Sequence, residues 1–151
     1  MRGLDTNVLL RYLAADDPEQ SPVARQLVAS AEREGEILYI NFVVLCELVW
    51  NLRGKRFGLA PAEIARVIEE LLASPAIEVQ GRDLVRAALR SFTTGRGDFA
   101  DHLLGEVNRR AGCSETVTFD SALDGDEAFA LLSDRYPPHN PPLLTLNEPP
   151  A

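Results

Sequence analysis

The chain of 151 residues is 46% apolar and 25% charged, a composition typical of one soluble globular domain. Its net charge of −8 argues against general, salt-driven nucleic-acid binding, although an enzyme could still hold a polyanion through a bridging cation. No apolar run is long enough to span a bilayer, and the N-terminus lacks the pattern of a signal peptide, so we expect a cytoplasmic protein with no membrane partner.

Strand-like and helix-like patterns alternate along the chain, because the spacing of apolar residues switches between two and about 3.6 residues. In chain order, the predicted elements are a strand at 2–4, helices at 5–14 and 21–35, a strand at 36–40, helices at 41–52 and 61–73, a strand at 76–80, helices at 82–92 and 99–112, a strand at 116–119 and a short helix at 125–133. Such alternation favours parallel pairing. We therefore predict an α/β fold, a three-layer sandwich in which helices flank a short parallel sheet.

Local signals predict where several helices begin and end. Ser21 is the predicted N-cap of the second helix, with Pro22 at its first position and Gly35 after its last. Asn41 is the predicted cap of the helix at 41–52. This helix is apolar nearly all round, so we expect it to be buried on most sides.

Residues 1–132 are predicted to form one domain, and residues 133–151 a Pro-rich tail that holds six of the ten prolines. Trp50 lies in the apolar helix and is expected in the core rather than as a stacking platform for a base. Cys46 and Cys113 match no metal or redox spacing, so both are expected to be small buried apolar residues.

Four carboxylates occupy positions at which a parallel α/β fold gathers function. Asp5 and Asp120 each follow a predicted strand, and Asp101 lies in the first turn of a predicted helix. Glu47 stands in FVVLCELVW, where an unpaired charge among apolar neighbours is costly. Because the carboxyl ends of parallel strands meet at one edge of a sheet, we expect the four side chains to converge there.

Converging carboxylates repel one another, and a hard divalent cation would offset that repulsion. A set of oxygen ligands suits Mg²⁺ or Mn²⁺. His102 follows Asp101, but adjacent residues on a helix point about 100° apart, so His102 need not share the site. The sequence therefore predicts a Mg²⁺ or Mn²⁺ site, with Glu47 facing the metal-bearing cleft.

The motifs GLDTNVLLRYL, LCELVW, GDFADHLL and TFD, in this order, resemble those of the PIN-domain nucleases, in particular the VapC toxins of bacterial toxin–antitoxin pairs. The resemblance covers about residues 1–132. It implies a parallel sheet between helices and an acidic pocket that binds Mg²⁺ or Mn²⁺ and hydrolyses phosphodiester bonds of RNA. It also implies a homodimer and a small antitoxin that docks at the active-site groove.

By the same resemblance, the family's four acids match Asp5, Glu47, Asp101 and Asp120, and its orienting polar residue matches Asn7. We expect Asp5 and Asp101 to bind the metal directly, and Asp120 to bind it directly or through water. Glu47 is expected either to bind a second metal or to orient the attacking water, and the sequence leaves both open.

Structural roles compete with these catalytic ones. Asp5 and Asp120 could instead cap the helices that follow them, with Ser121 as a rival cap in the second case. Asp98 precedes Asp101 by three residues, which is the spacing of a capping box. We therefore predict Asp98 to be a helix cap rather than a ligand, and keep it as a supporting site residue.

Basic residues also admit two interpretations. One face of the helix at 82–92 carries arginines spaced by four residues, namely Arg82, Arg86 and Arg90. These residues and Arg53 form either solvated surface or a track for RNA phosphates. Glu47 could also form a structural ion pair with Arg53 or Arg11, although a buried pair is a costly way to fill a core.

Two other functions are compatible with the predicted fold. An aspartyl-phosphate receiver or phosphatase also has an aspartate at a strand end, but such sites need a lysine near a later strand, and Lys55 lies in a mid-chain turn. A PIN-like module that binds RNA or protein without catalysis would keep the fold. The presence of all four acids argues against this second alternative.

Overall fold

Short parallel strands form the middle of the fold, with helices around them. The computed structural model describes residues 1–132 together with residues 136 and 139. Its elements are β1 (Arg2–Gly3), α1 (Thr6–Leu13), α2 (Gln20–Glu34), β2 (Leu38–Ile40), α3 (Phe42–Arg53), α4 (Pro61–Ala73), β3 (Ile77–Val79), α5 (Arg82–Thr94), α6 (Phe99–Arg110), β4 (Thr116–Thr118) and β5 (Phe129–Leu131). The predicted α/β sandwich with a short parallel sheet is confirmed.

The strands form two parallel sheets within the described residues. The first has the order β1-β2-β3, with Arg2 opposite Leu38 and Leu38 opposite Ile77. The second pairs β4 with β5, with Thr116 opposite Phe129. In these pairings β1 has β2 as its neighbour and β4 has β5.

The hydrophobic core lies around β2 and β3. Leu38 and Ile40 of β2 are fully buried, and they pack with apolar side chains of α3, α4 and α5 such as Leu48, Ile68 and Val85. Full burial of one such aliphatic side chain stabilises the fold by about 1.5–3 kcal/mol. This packing holds the helix that carries Glu47 against the first sheet.

The second sheet is much more open to solvent. Val117 of β4 is 55% exposed, and Phe119, which follows that strand, is 80% exposed. Inside this unit, Ala130 of β5 and Leu123 of a 3-10 turn at Ser121–Leu123 are buried. Asp120 therefore follows a strand that is packed on one side only.

The start of α2 differs from the prediction. The helix begins at Gln20, and the Asp17 carboxylate accepts the backbone N–H groups of Glu19 and Gln20 at 2.9 and 2.7 Å. Ser21 is not the N-cap, because its buried hydroxyl instead donates to the carbonyl of Ala14 at 2.9 Å. Two other predictions are confirmed. Gly35, with φ 67°, follows the last residue of α2, and Asn41 caps the start of α3 by accepting the N–H of Val44.

The last predicted helix, at 125–133, is wrong. Residues Phe129–Leu131 form strand β5 instead, and the Leu132 N–H donates to the carbonyl of Thr118 beyond the ladder. Pairing with β4 satisfies the backbone of this segment and outweighs its local helix propensity. The predicted Pro-rich tail at 133–151 lies outside the described residues, apart from Tyr136 and His139.

Two predictions about buried residues also need correction. Cys113 is exposed, because it follows Gly112 beyond the end of α6, whereas Cys46 is partly buried. Trp50 is 53% exposed and Val43 is 64% exposed, so one long face of α3 is open to solvent. Among the described residues, no helix combines the length and the apolar character needed to cross a membrane.

Candidate active site

Glu47 lies on the exposed face of α3, beside Val43 and Trp50. Its Oε2 accepts a hydrogen bond from the Thr6 hydroxyl at 2.9 Å, and Thr6 is the residue that follows Asp5. The prediction that this helix is buried on most sides is therefore wrong, because the face that carries Val43, Glu47 and Trp50 is exposed. A charge at this position carries little desolvation cost.

The alternative ion pairs for Glu47 do not form. Arg53 instead contacts Asp98, and Arg11 contacts Asp16 at 3.1 Å. The sequence analysis predicts no role for Thr6, and its position directly after Asp5 is the one sequence feature that places it near the candidate site. Through Thr6, the start of α1 and the middle of α3 are joined by a direct side-chain hydrogen bond.

Asp5 occupies the N-cap position of α1 with an extended backbone, but its side chain makes no capping hydrogen bond. Asp5 is exposed and borders a small concavity of about 210 Å³ that is also lined by Val8 of α1, Leu27 of α2 and Leu38 of β2. Asn7 is exposed as well, and lines a separate groove between α1 and α2. The competing structural role for Asp5 is thus absent, and its charged group is available to a ligand.

Asp98 and Asp101 lie together at the start of α6, where they form a capping box. Asp98 Oδ1 accepts the N–H of Phe99 at 2.8 Å, and the N–H of Asp98 donates to Asp101 Oδ2 at 3.1 Å. Asp98 also accepts the Trp50 indole N–H and an Arg53 guanidinium N–H, each at 2.8 Å. The predicted cap role of Asp98 is confirmed.

Asp120 follows β4 and begins the 3-10 turn. Its Oδ1 accepts the N–H of Ala122 at 2.9 Å, and its own N–H donates to the Thr118 hydroxyl at 3.0 Å. Ser121 does not replace it as the cap, because Ser121 is the first residue of the turn. The Asp120 side chain is exposed, so its remaining carboxylate oxygen faces solvent.

The donor chemistry of the four acids suits a hard cation, because all the ligand atoms are carboxylate oxygens. Within residues 1–132, 136 and 139, no three His, Cys, Asp or Glu side chains lie close enough together to hold one ion. The structure links Asp5 to Glu47 through Thr6, and Asp101 to Asp98, but leaves Asp120 on the separate second sheet.

A groove of about 520 Å³ runs between α3 and α6 next to Glu47. Its walls are largely apolar and include Val43 and Trp50 on α3 and Leu104 on α6, all three about half exposed or more. Cys46 also lines the groove, and burial, with a smaller contribution from the charge of Asp98, raises the pKa of its thiol. The thiol is therefore protonated at neutral pH and is not a nucleophile.

The predicted RNA-contacting arginines have unequal surroundings. Arg82 donates to the carbonyl of Leu72 at 2.6 Å, and Arg86 lies 3.6 Å from Glu69, so both tie α5 to α4. Arg53 is paired with Asp98 and lies over the ring of Phe92, 5.6 Å from its centroid. Arg90 is exposed on α5, where it leaves a cation accessible to a ligand.

His102 is buried and serves the structure of the C-terminal part. Its Nε2 lies 2.7 Å from the carbonyl of Arg96, and its Nδ1 lies 3.6 Å from the Asp126 carboxylate. These contacts join α6 to the loop before it and to the loop that precedes β5. The expectation that His102 need not share a site with Asp101 agrees with this position.

Comparison with known proteins bears on the whole of this region. The family model for the PIN domain matches residues 4–125, a span that includes Asp5, Glu47, Asp101 and Asp120. The chain is also similar to the VapC ribonuclease of Aquifex aeolicus (strain VF5), with 28% identity over 119 residues. That similarity covers 79% of this chain and 87% of the relative. The family match spans most of the chain, and the protein therefore belongs to the PIN-domain family.

Proposed function

We propose that this protein is a Mg²⁺- or Mn²⁺-dependent endoribonuclease and the toxin of a cytoplasmic toxin–antitoxin pair. The observation that carries this proposal is the similarity to a VapC ribonuclease along 87% of that protein's length. The PIN-domain match supports it, because the matched span contains the four acids identified from the sequence.

The proposed site consists of Asp5, Glu47, Asp101 and Asp120, with Asn7 as a supporting residue. Asp5 makes no capping bond, and Glu47 and Asp120 are exposed, so these oxygens are accessible to a cation. When bound, Mg²⁺ supplies a Lewis acid and lowers the pKa of a coordinated water. The chain's own task is to bring the carboxylates into one cluster and to hold the scissile phosphodiester beside them.

Metal binding requires the acids to approach one another more closely than they do in the described residues. Asp5 follows β1 and Asp120 follows β4, and in the described residues these two strands pair in different sheets. We therefore expect the carboxylates of the four acids to lie closer together when a divalent cation is bound.

RNA phosphates are proposed to contact the arginines of α5 and Arg53 of α3. Arg90 is the best placed of them for this role, because it is exposed and the described residues offer its guanidinium no acidic partner. Arg82, Arg86 and Arg53 contribute positive charge, but each already contacts the protein. With a net charge of −8, the protein depends on such local cations to hold an anionic substrate.

An antitoxin segment is proposed to occupy the groove between α3 and α6. The groove offers exposed apolar walls at Val43, Trp50 and Leu104 and one carboxylate, Glu47. An amphipathic segment that places a basic residue near Glu47 would match both features. We also propose a homodimer, and sedimentation that shows only monomer across a wide concentration range would contradict it.

The deciding experiment measures cleavage of total tRNA by purified protein, with EDTA, with Mg²⁺ and with Mn²⁺. We expect cleavage in either metal and none in EDTA. The matched variants are Asp5→Asn, which should be inactive, and Asp124→Asn, an exposed aspartate outside the set, which should cleave normally. RNA binding without cleavage under all three conditions would favour a non-catalytic PIN-like module instead.

A further inference from the structure

Helices α3 and α6 meet at the carboxylate of Asp98. Its Oδ2 accepts the Trp50 indole N–H at 2.8 Å, and its Oδ1 accepts an Arg53 guanidinium N–H at 2.8 Å. Both donors come from the C-terminal part of α3. Asp98 Oδ1 also accepts the N–H of Phe99, the first residue of α6. Two side chains of α3 thus donate hydrogen bonds to the residue that caps α6.

Asp98 also holds the carboxylate of Asp101 in place. The N–H of Asp98 donates to Asp101 Oδ2 at 3.1 Å, which closes the capping box and orients the Asp101 carboxylate. Glu47 lies one turn before Trp50 on α3. Trp50, Arg53 and Asp98 thus form a junction that connects the helix carrying Glu47 to the first turn of the helix carrying Asp101.

Asp98 has little capacity left to bind a cation itself. Its two oxygens already accept three hydrogen bonds, out of about four lone-pair positions that an ionised carboxylate offers. Trp50 is 53% exposed, so burial of its ring does not explain its presence as well as its hydrogen bond does. The group is built to hold Asp98 rather than to fill the core.

We propose that Trp50, Arg53 and Asp98 are positioning residues that set the separation of Glu47 and Asp101 and so tune the affinity for the divalent cation. This inference rests on the proposed function, because it takes Glu47 and Asp101 as parts of the metal site. None of the three residues has to touch the cation or the RNA. Partners that orient metal ligands in this way typically change affinity by about 10- to 100-fold when they are lost.

The central experiment separates helix capping from positioning. Asp98→Ser keeps a side-chain oxygen that caps a helix about as well as aspartate, but its short side chain cannot reach Trp50 and Arg53. Trp50→Phe keeps the aromatic ring and removes only the indole N–H. Titration calorimetry with MnCl₂ should show about tenfold weaker binding for each variant, and the double variant should lose no more than the single ones.

The arginine arm has a matched control. Arg53→Lys keeps the charge but loses the planar donor geometry, and we expect weaker Mn²⁺ binding. Arg66→Lys makes the same change at an exposed position on α4, and should bind Mn²⁺ as the wild type does. Equal binding by the Arg53 and Arg66 variants would remove Arg53 from the proposal.

A metal-free measurement keeps the proposal testable if the proposed function fails. Amide hydrogen exchange in EDTA should be faster at residues 99–102 in Trp50→Phe than in the wild type, with the amides of α4 unchanged. Wild-type protein that binds no Mn²⁺ and cleaves no RNA would refute the proposed function, while the exchange result would still test the junction. Wild-type Mn²⁺ affinity in Asp98→Ser, or unchanged exchange in Trp50→Phe, would overturn the positioning role.

Discussion

The starts of α1 and α6 place the same residue type in the same position for different purposes. Asp5 and Asp98 are both N-cap residues with extended backbones, at φ −80° and ψ 152° for Asp5 and φ −91° and ψ 159° for Asp98. Asp98 uses its carboxylate to cap α6 and to bind Trp50 and Arg53. Asp5 makes no capping bond at all.

The difference shows that an N-cap position does not define the role of the aspartate that occupies it. Aspartate is favoured at such positions because it accepts a backbone N–H. Where the structure leaves that bond unmade, the helix gives up stability for an accessible charge. Asp5 therefore fits a ligand-binding role, whereas Asp98 fits a structural one, although the sequence presents both as aspartates ahead of a helix.

The largest expected effect follows from the free carboxylate of Asp5. Asp5→Asn should lower Mg²⁺-dependent RNA cleavage by about 100-fold or more, because losing a ligand should cost at least as much as losing its supporting partners. The melting temperature in EDTA should stay within about 2 °C of the wild type, since no capping bond is lost. Cleavage assays and thermal unfolding test the two halves.

A result that breaks this comparison is easy to recognise. If Asp5→Asn cleaves RNA normally but melts well below the wild type in EDTA, Asp5 is a structural cap and has the same role as Asp98. If it loses both activity and stability, the two roles coexist at Asp5.

The next effect is on stability at Asp98. Asp98→Ala should lower the free energy of unfolding by about 1–2 kcal/mol, because it removes the helix cap and leaves two donors without their acceptor. Asp5→Ala should change it by less than about 0.5 kcal/mol. Urea unfolding of both variants in EDTA gives the comparison directly, and equal losses would show that the observed capping difference has no energetic weight.

The features that local sequence specifies were predictable. Gly35 ends α2 and Asn41 caps α3 because each acts on the few residues beside it. The exposure of Trp50 was not predictable, since it depends on how far apart α3 and α6 lie. Segment 129–131 was assigned to a helix, because its pairing with β4 is a long-range contact that its own residues do not encode.

The candidate site shows the same limit. Strand ends located Asp5 and Asp120 correctly, but the pairing of the strands into two sheets depends on long-range contacts. Sequence also made α3 look buried on most sides, because its residues are nearly all apolar, whereas Val43 and Trp50 lie on a face that is exposed. The sequence therefore predicts which residue types form the candidate site and their order along the chain, but not the distances between their side chains.

A smaller effect concerns Glu47, which is exposed and bound to Thr6. Glu47→Gln and Glu47→Leu should both fold in EDTA, because no basic partner is stranded. Millimolar Mg²⁺ should raise the melting temperature of the wild type by a few degrees more than that of either variant, because tenfold weaker binding removes about 1.4 kcal/mol of ligand stabilisation. Equal Mg²⁺ shifts in all three proteins would exclude Glu47 from the metal site.

The smallest effect concerns Asp17, a third aspartate ahead of a helix and, like Asp98, one whose carboxylate is in use. Backbone N–H groups of Gln20 and Glu19 lower the pKa of this carboxyl from its usual range. A lowered folded-state pKa means that the ionised form stabilises the fold above the unfolded-state pKa, and that this stabilisation is lost as the pH falls through the folded-state value. Asp17→Ala should therefore melt below the wild type at pH 7, and the difference should shrink towards pH 3. Asp17→Ser is the control. Because neither alanine nor serine titrates at this position, the difference in melting temperature between the two variants should not change with pH. If the wild type remains as far above both variants at pH 3 as at pH 7, the charge of Asp17 does not stabilise α2.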